Sequence, residues 1–161
     1  MSLSSSGKII RARSADANHR VLSVEQPTDT PPAFRRRPCQ PTADQPACPW
    51  RLDARTGEYP AQAYRLSAPT TYNMATRTFG CHQSTVQHPQ TCAGFLLCGA
   101  GDNLTVRMWA ARGTDLSQIT SDIPLYASYR DMAIANGVDP NDSALAPCRG
   151  ESTHWTGPEK R

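Results

Sequence analysis

Apolar residues in this chain fall into short groups whose spacing becomes helical only in the second half. From Thr91 to Gly99, Ala93, Phe95, Leu96 and Leu97 supply a wide apolar surface. Thr91 suits a cap and Gly99 and Gly101 suit breaks, which predicts a helix. Asn103–Arg112 places Leu104, Met108 and Ala111 at spacings of four and three. Its alternation Leu104, Val106, Met108 would also suit a strand. Asn103 as a cap and Gly113 as a stop favour helix. Asp122–Gly137 carries the best helical pattern, through Leu125, Tyr129, Met132, Ala133 and Asn136. Ser121 or Asp122 is its expected cap, Pro124 falls in its first turn, and Asn136-Gly137 ends it.

Upstream the pattern weakens. Tyr59, Ala63 and Leu66 give Glu58–Leu66 near-helical spacing, with Pro60 tolerable in a first turn. Residues 67–78 are polar and threonine-rich, leading into a short strand that ends at Phe79. Gly80 then permits close backbone approach to a buried site. Arg37–Trp50 contains four prolines and no periodicity, so it is expected to be loop. Residues 1–33 read as a flexible tail with one short strand around Val21–Val24, followed by the breaker-rich QPTDTPPAF. The expected organisation is a tail over 1–33, a cysteine-rich metal-binding domain over 34–150 and a second tail over 151–161. Its expected fold is α+β: a small, irregular, mainly helical domain with a short hairpin or strands, organised around a cysteine metal site.

Composition limits the core. The chain has 161 residues, enough for one domain. Only 38% are hydrophobic, and nine of the 14 prolines precede residue 70. A modest core is the setting in which a structural metal adds decisive stability. No run of 18 apolar residues suggests a membrane span. The N-terminal residues lack a hydrophobic stretch of signal-peptide length, so a cytoplasmic location is expected. The net charge of +3 is uneven, with residues 1–65 at +4 and residues 66–161 at −1. Arg35, Arg36 and Arg37 form the tightest basic cluster, just before Cys39.

The six cysteines sharpen the picture. In a reducing compartment they are thiols or thiolates sooner than disulfides. Cys39, Cys48, Cys81 and Cys92 have the most distinctive neighbours and are the expected metal ligands, with His82 as a substitute or a neighbouring hydrogen-bond partner. Cys92 at a helix start suits a thiolate, because free N–H groups there favour negative charge. Zinc is the first expectation and a [4Fe–4S] cluster the alternative. Cys98, inside an apolar helix, and Cys148, in a Pro/Arg turn, fall outside the set.

Four motifs carry a resemblance: Pro38-Cys39, Cys48-Pro49-Trp50-Arg51, Phe79-Gly80-Cys81-His82 and Cys92-Ala93-Gly94-Phe95. Together they resemble a small, largely uncharacterised family of actinobacteria and their phages, from about Arg37 to Arg107. In that pattern the first two cysteines sit two residues apart. Here eight residues separate them, as though QPTADQ had been inserted. The resemblance implies a shared cysteine site and brings no activity with it.

No Walker loop, dinucleotide-binding glycine pattern, HExxH or zinc-deaminase signature is present. Cys81 and His82 are sequence neighbours whose side chains point apart, which makes a poor nucleophile–base pair. The sequence therefore reads as a metal-stabilised binding or regulatory protein sooner than an enzyme. Arg35, Arg36, Arg37 and Arg51 are its expected contacts to an unidentified macromolecular partner, a nucleic acid or an acidic protein. The alternatives are a structural protein-interaction domain and a small metalloenzyme or redox protein.

Overall fold

A computed structural model describes residues 8–25, 31–85 and 87–148. Two strands, β1 (Lys8–Ser14) and β2 (Arg20–Glu25), pair antiparallel with Ser14 opposite Arg20 and Ala12 opposite Leu22. Asp16 makes their turn: its Oδ1 accepts from the N–H groups of Asn18 and His19, both at 2.8 Å. Such a side-chain bridge replaces backbone bonds that a reversing chain would otherwise lose. Residues 8–25 are thus a hairpin, where the sequence suggested a tail with one short strand.

The hairpin joins the rest of the fold through β3 (Thr78–Phe79), which pairs antiparallel with β2. The sheet order is β1-β2-β3. Val24 of β2 and Thr78 opposite it are both buried, so this edge lies against the core.

Four short helices complete the fold. Helix α1 (Ala61–Ser67) starts after an extended Pro60 and runs on as a 3₁₀ turn over Ala68–Thr71. Helix α2 (Ala93–Cys98) begins after Cys92. Helix α3 (Leu104–Ala111) is capped by Asn103, whose side chain accepts from the Val106 N–H, and Gly113 follows with φ +92°. Helix α4 (Tyr129–Ala135) is capped by Ser128, with Gly137 beyond its end at φ +99°.

Helix α4 begins seven residues later than the apolar pattern suggested, because residues 124–126 are used elsewhere. The Leu52 N–H donates to Pro124 O at 3.0 Å, and the Tyr126 N–H donates to Trp50 O at 2.9 Å. This clip holds the segment extended beside Arg51 and leaves Ser128 as the first residue free to cap.

The core is built on Trp50, which is fully buried. Phe79 and Tyr129 meet its ring edge-to-face at 6.0 and 5.8 Å, and Phe79 stacks on Phe95 at 6.1 Å. Met132, Val138 and Leu145 extend the apolar interior from the α4 side. The fold is α+β with a three-stranded antiparallel sheet. Its organising centre is this aromatic cluster and not a metal site, as the cysteine geometry makes clear.

Candidate functional site

The four motif cysteines are all buried, and three backbone arrangements bring them together. Cys39 and Cys48 close the base of one loop, the Cys48 N–H donating to Cys39 O at 3.0 Å. The intervening residues form a turn of their own, with Thr42 and Gln45 bonded in both directions. The eight-residue separation therefore projects outward as a loop and leaves the two cysteines adjacent. Cys81 follows β3 and donates its N–H to Gln90 O at 2.7 Å. Cys92 is tied to β3 by its N–H to Phe79 O at 2.9 Å and holds the N-terminal end of α2.

The sulfurs pair across the fold instead of within the loop. Cys39 Sγ lies 3.1 Å from Cys81 Sγ, and Cys48 Sγ lies 3.6 Å from Cys92 Sγ. Each pair is within S–H···S hydrogen-bond reach, and either sulfur could donate. The hydrogen bond from Cys39 holds the Cys81 thiol down at about 5, against the opposing effect of burial. The Gln83 N–H and the positive charge of Arg35 assist, so Cys81 is the member that carries the negative charge. Cys39 is pushed up by the same bond and by burial. In the second pair, the bond from Cys92 lowers Cys48, and Cys92 is raised by that bond and by burial.

This geometry corrects the metal expectation. Among the described residues, no group of three or more His, Cys, Asp or Glu side chains is placed to hold a metal ion. Zinc–thiolate bonds of about 2.3 Å set tetrahedral sulfur–sulfur edges of roughly 3.8 Å. The Cys39–Cys81 pair is tighter than that, at a separation suited to S–H donating directly to S⁻. Cys39, Cys48, Cys81 and Cys92 are thus two hydrogen-bonded thiol pairs, and the zinc and [4Fe–4S] readings fall. The metal-stabilised regulator and the metalloenzyme built on those readings fall with them.

His82 serves the inserted loop. Its Nε2 lies 2.7 Å from Pro46 O, and because a carbonyl only accepts, the ring nitrogen must be the donor. Gln83 Nε2 donates to Gln40 O at 2.7 Å and to Pro46 O at 3.2 Å. Cys98 lies outside both pairs and is pushed up to about 11 by burial. Cys148 Sγ sits 3.4 Å from Thr71 Oγ1, away from the other thiols.

The arginines are dispersed. Arg51 is buried and bound to both carboxylate oxygens of Asp53 at 2.7 Å, and its third nitrogen donates to Cys39 O at 3.4 Å. From this buried position it braces the loop. Arg36 and Arg37 are both exposed, and Arg37 donates to the carbonyls of Arg36 and Gln118. Arg35 turns inward, with a buried Nε that has no hydrogen-bond partner among the described residues.

Among the described residues, cavities lie beside the thiols, and no sequence pattern signals them. One of about 300 Å³ lies between the hairpin and α1, with Cys81, His82, Val21, Val24 and Phe79 in its wall. Another of about 400 Å³ lies under the 41–46 loop, against Arg55, Glu58 and Tyr126. Tyr59 lines both, and its buried hydroxyl has no partner among the described residues. Rings form a row at the first cavity: His19 to Tyr59 at 5.6 Å and Tyr59 to His82 at 5.7 Å, both edge-to-face.

Residues 34–149 match a family of unknown function, DUF6283, and the chain belongs to that family. No curated protein and no solved structure matches the chain. Among the described residues, no helix is long and apolar enough to cross a membrane.

Proposed function

We propose that this domain binds a small planar aromatic molecule in the cavity between the hairpin and α1. The observation that carries the reading is Tyr59. It offers a ring edge-to-face with two histidines and an unpartnered buried hydroxyl at a cavity of about 300 Å³. Ligand pockets combine an apolar wall with a few polar groups that fix orientation. Here Val21, Val24 and Phe79 supply the apolar surface, and Tyr59 supplies the hydrogen-bonding group. The volume is at the small end of the range for ligand pockets, about 300–1,000 Å³, which favours one or two fused rings.

The reading places the domain in the cytoplasm, where its six free thiols stay reduced. It takes an actinobacterial or phage setting from the resemblance of its cysteine motifs. Arg51 is committed to Asp53, so no basic face enters the proposal.

Titration with indole, followed by methyl NMR of Val21 and Val24, tests it. The expected result is a saturable shift at both valines that disappears at both in Ala63→Trp and at Val24 in Val21→Trp, two independent ways of filling the cavity. Absence of a saturable shift, or a shift unchanged in both filled variants, would overturn the reading.

A further inference from the structure

The Cys39–Cys81 pair has a geometry that the binding of an aromatic ligand does not use. The two sulfurs are 3.1 Å apart, about 1 Å more than a disulfide bond of roughly 2.05 Å. Neither cysteine lies in a helix or strand: Cys39 is in the loop before Cys48, and Cys81 follows β3. Loop backbone can absorb a displacement of this size more readily than a packed helix can.

Access separates the two pairs. Cys81 lines the cavity of about 300 Å³, while Cys48 and Cys92 line neither cavity. An incoming molecule therefore meets Cys81 first. Arg35 and the Gln83 N–H stabilise negative charge on that sulfur, and the thiolate is the nucleophilic form. Cys39, with its sulfur 3.1 Å from that of Cys81, is placed to resolve a mixed disulfide.

We propose that Cys81 and Cys39 form a thiol–disulfide exchange site for small organic disulfides. The Cys81 thiolate attacks one sulfur of R–S–S–R, forming Cys81–S–S–R and releasing RS⁻. The Cys39 thiol gives its proton to that RS⁻, producing RSH. The Cys39 thiolate then attacks the Cys81 sulfur, breaking its bond to R–S and releasing a second RS⁻. Cys39 and Cys81 end as a disulfide, two electrons poorer, and the substrate ends as two reduced thiols. The oxidant is the small disulfide itself. The site stands whether or not an aromatic ligand binds.

The full chain, fully reduced and kept free of oxygen, is mixed with glutathione disulfide, and its products are mapped by mass spectrometry. The expected product has lost the mass of two hydrogens, carries no adduct and contains a Cys39–Cys81 bond. Cys39→Ser should halt at a glutathione adduct on Cys81, and Cys81→Ser should lose the reaction at this pair. The wild-type map needs no variant to fold. A first bond between Cys39 and Cys48, adducts confined to Cys98 and Cys148, or no reaction at Cys81 would overturn the proposal. The indole titration and the exchange map, both on the wild-type chain, separate the two ideas: exchange without indole binding leaves this site intact, and indole binding without exchange leaves the aromatic ligand untouched.

Discussion

Trp50 and Gly94 pack backbone against indole: a methyl group on Gly94 would sit 2.5 Å from the Trp50 Cβ and 2.7 Å from its Cγ. At the other end of α2, a methyl on Gly99 would meet Trp50 Cη2 at 2.6 Å. The two glycines allow the whole helix to lie flat on the ring. This links the Cys48-Pro49-Trp50-Arg51 motif to Cys92-Ala93-Gly94-Phe95 through packing, which also sets Cys92 against Cys48.

Gly94→Ala should therefore destabilise the domain by about 1–3 kcal/mol through overpacking, despite the better helix propensity of alanine. Urea unfolding checks this, with Gly99→Ala expected to act in the same direction. An unchanged midpoint for both would mean that α2 does not rest on Trp50.

Asn103 is fully buried, and its side chain is fully used. Nδ2 donates to Thr70 O and Arg77 O at 3.0 and 2.8 Å, while Oδ1 accepts from the Val106 N–H at 3.1 Å. Asn103→Ala removes a helix cap and leaves two part-buried carbonyls without their donor, a cost of about 2 kcal/mol. Asn103→Asp keeps the cap but faces those carbonyls with a carboxylate, so it should fail to rescue in the same unfolding assay. Full rescue by aspartate would reduce the role of Asn103 to capping.

Much of the local structure was legible and most of the site was not. Asn103 was readable as a cap because its bond goes to the Val106 N–H three residues on. The hairpin was half legible: Val21–Val24 showed as a strand, but Lys8–Ser14 reads as polar chain until it is paired. The start of α4 was hidden because the bonds of residues 124–126 go to Leu52 and Trp50. The cysteine pairing was hidden for the same reason. Sequence proximity groups Cys39 with Cys48, whereas the sulfur contacts run from Cys39 to Cys81 and from Cys48 to Cys92. Motif spacing singled out four residues that the fold brings into two pairs, and gave them a metal chemistry that the geometry overturns.

Tyr59→Phe should stabilise the free domain by about 1 kcal/mol, since it removes a buried hydroxyl that has no partner among the described residues. The same variant should weaken indole binding. Thermal unfolding and the NMR titration together check this pair of outcomes. A loss of stability would show that the hydroxyl is satisfied in solution.

The thiol pairs make stability depend on pH with a definite sign. Between about pH 5 and 9 the folded Cys39–Cys81 pair holds one proton, where the unfolded chain holds two. Stability rises with pH wherever the unfolded state binds more protons, and the Cys48–Cys92 pair acts in the same direction. Above about pH 9 the unfolded thiols ionise while one member of each pair stays protonated, so the slope reverses. Tyr64 and Tyr129, both raised by burial, steepen that alkaline loss. Urea midpoints should climb from about pH 6 to 8.5 and fall beyond about pH 10. The climb should flatten in Cys39→Ala/Cys81→Ala, and a climb of unchanged slope would remove this pair as its source.

The pairing itself is tested most directly by the rate at which iodoacetamide modifies Cys81, followed residue by residue across pH. A thiolate held by the Cys39 S–H should alkylate half-maximally near pH 5, with Cys39 unreactive in the same samples. Cys39→Ala should move the midpoint upward, because it removes the bond that lowers it. A wild-type midpoint near the ordinary thiol value of about 9, or Cys39 reacting ahead of Cys81, would contradict the paired-thiol site.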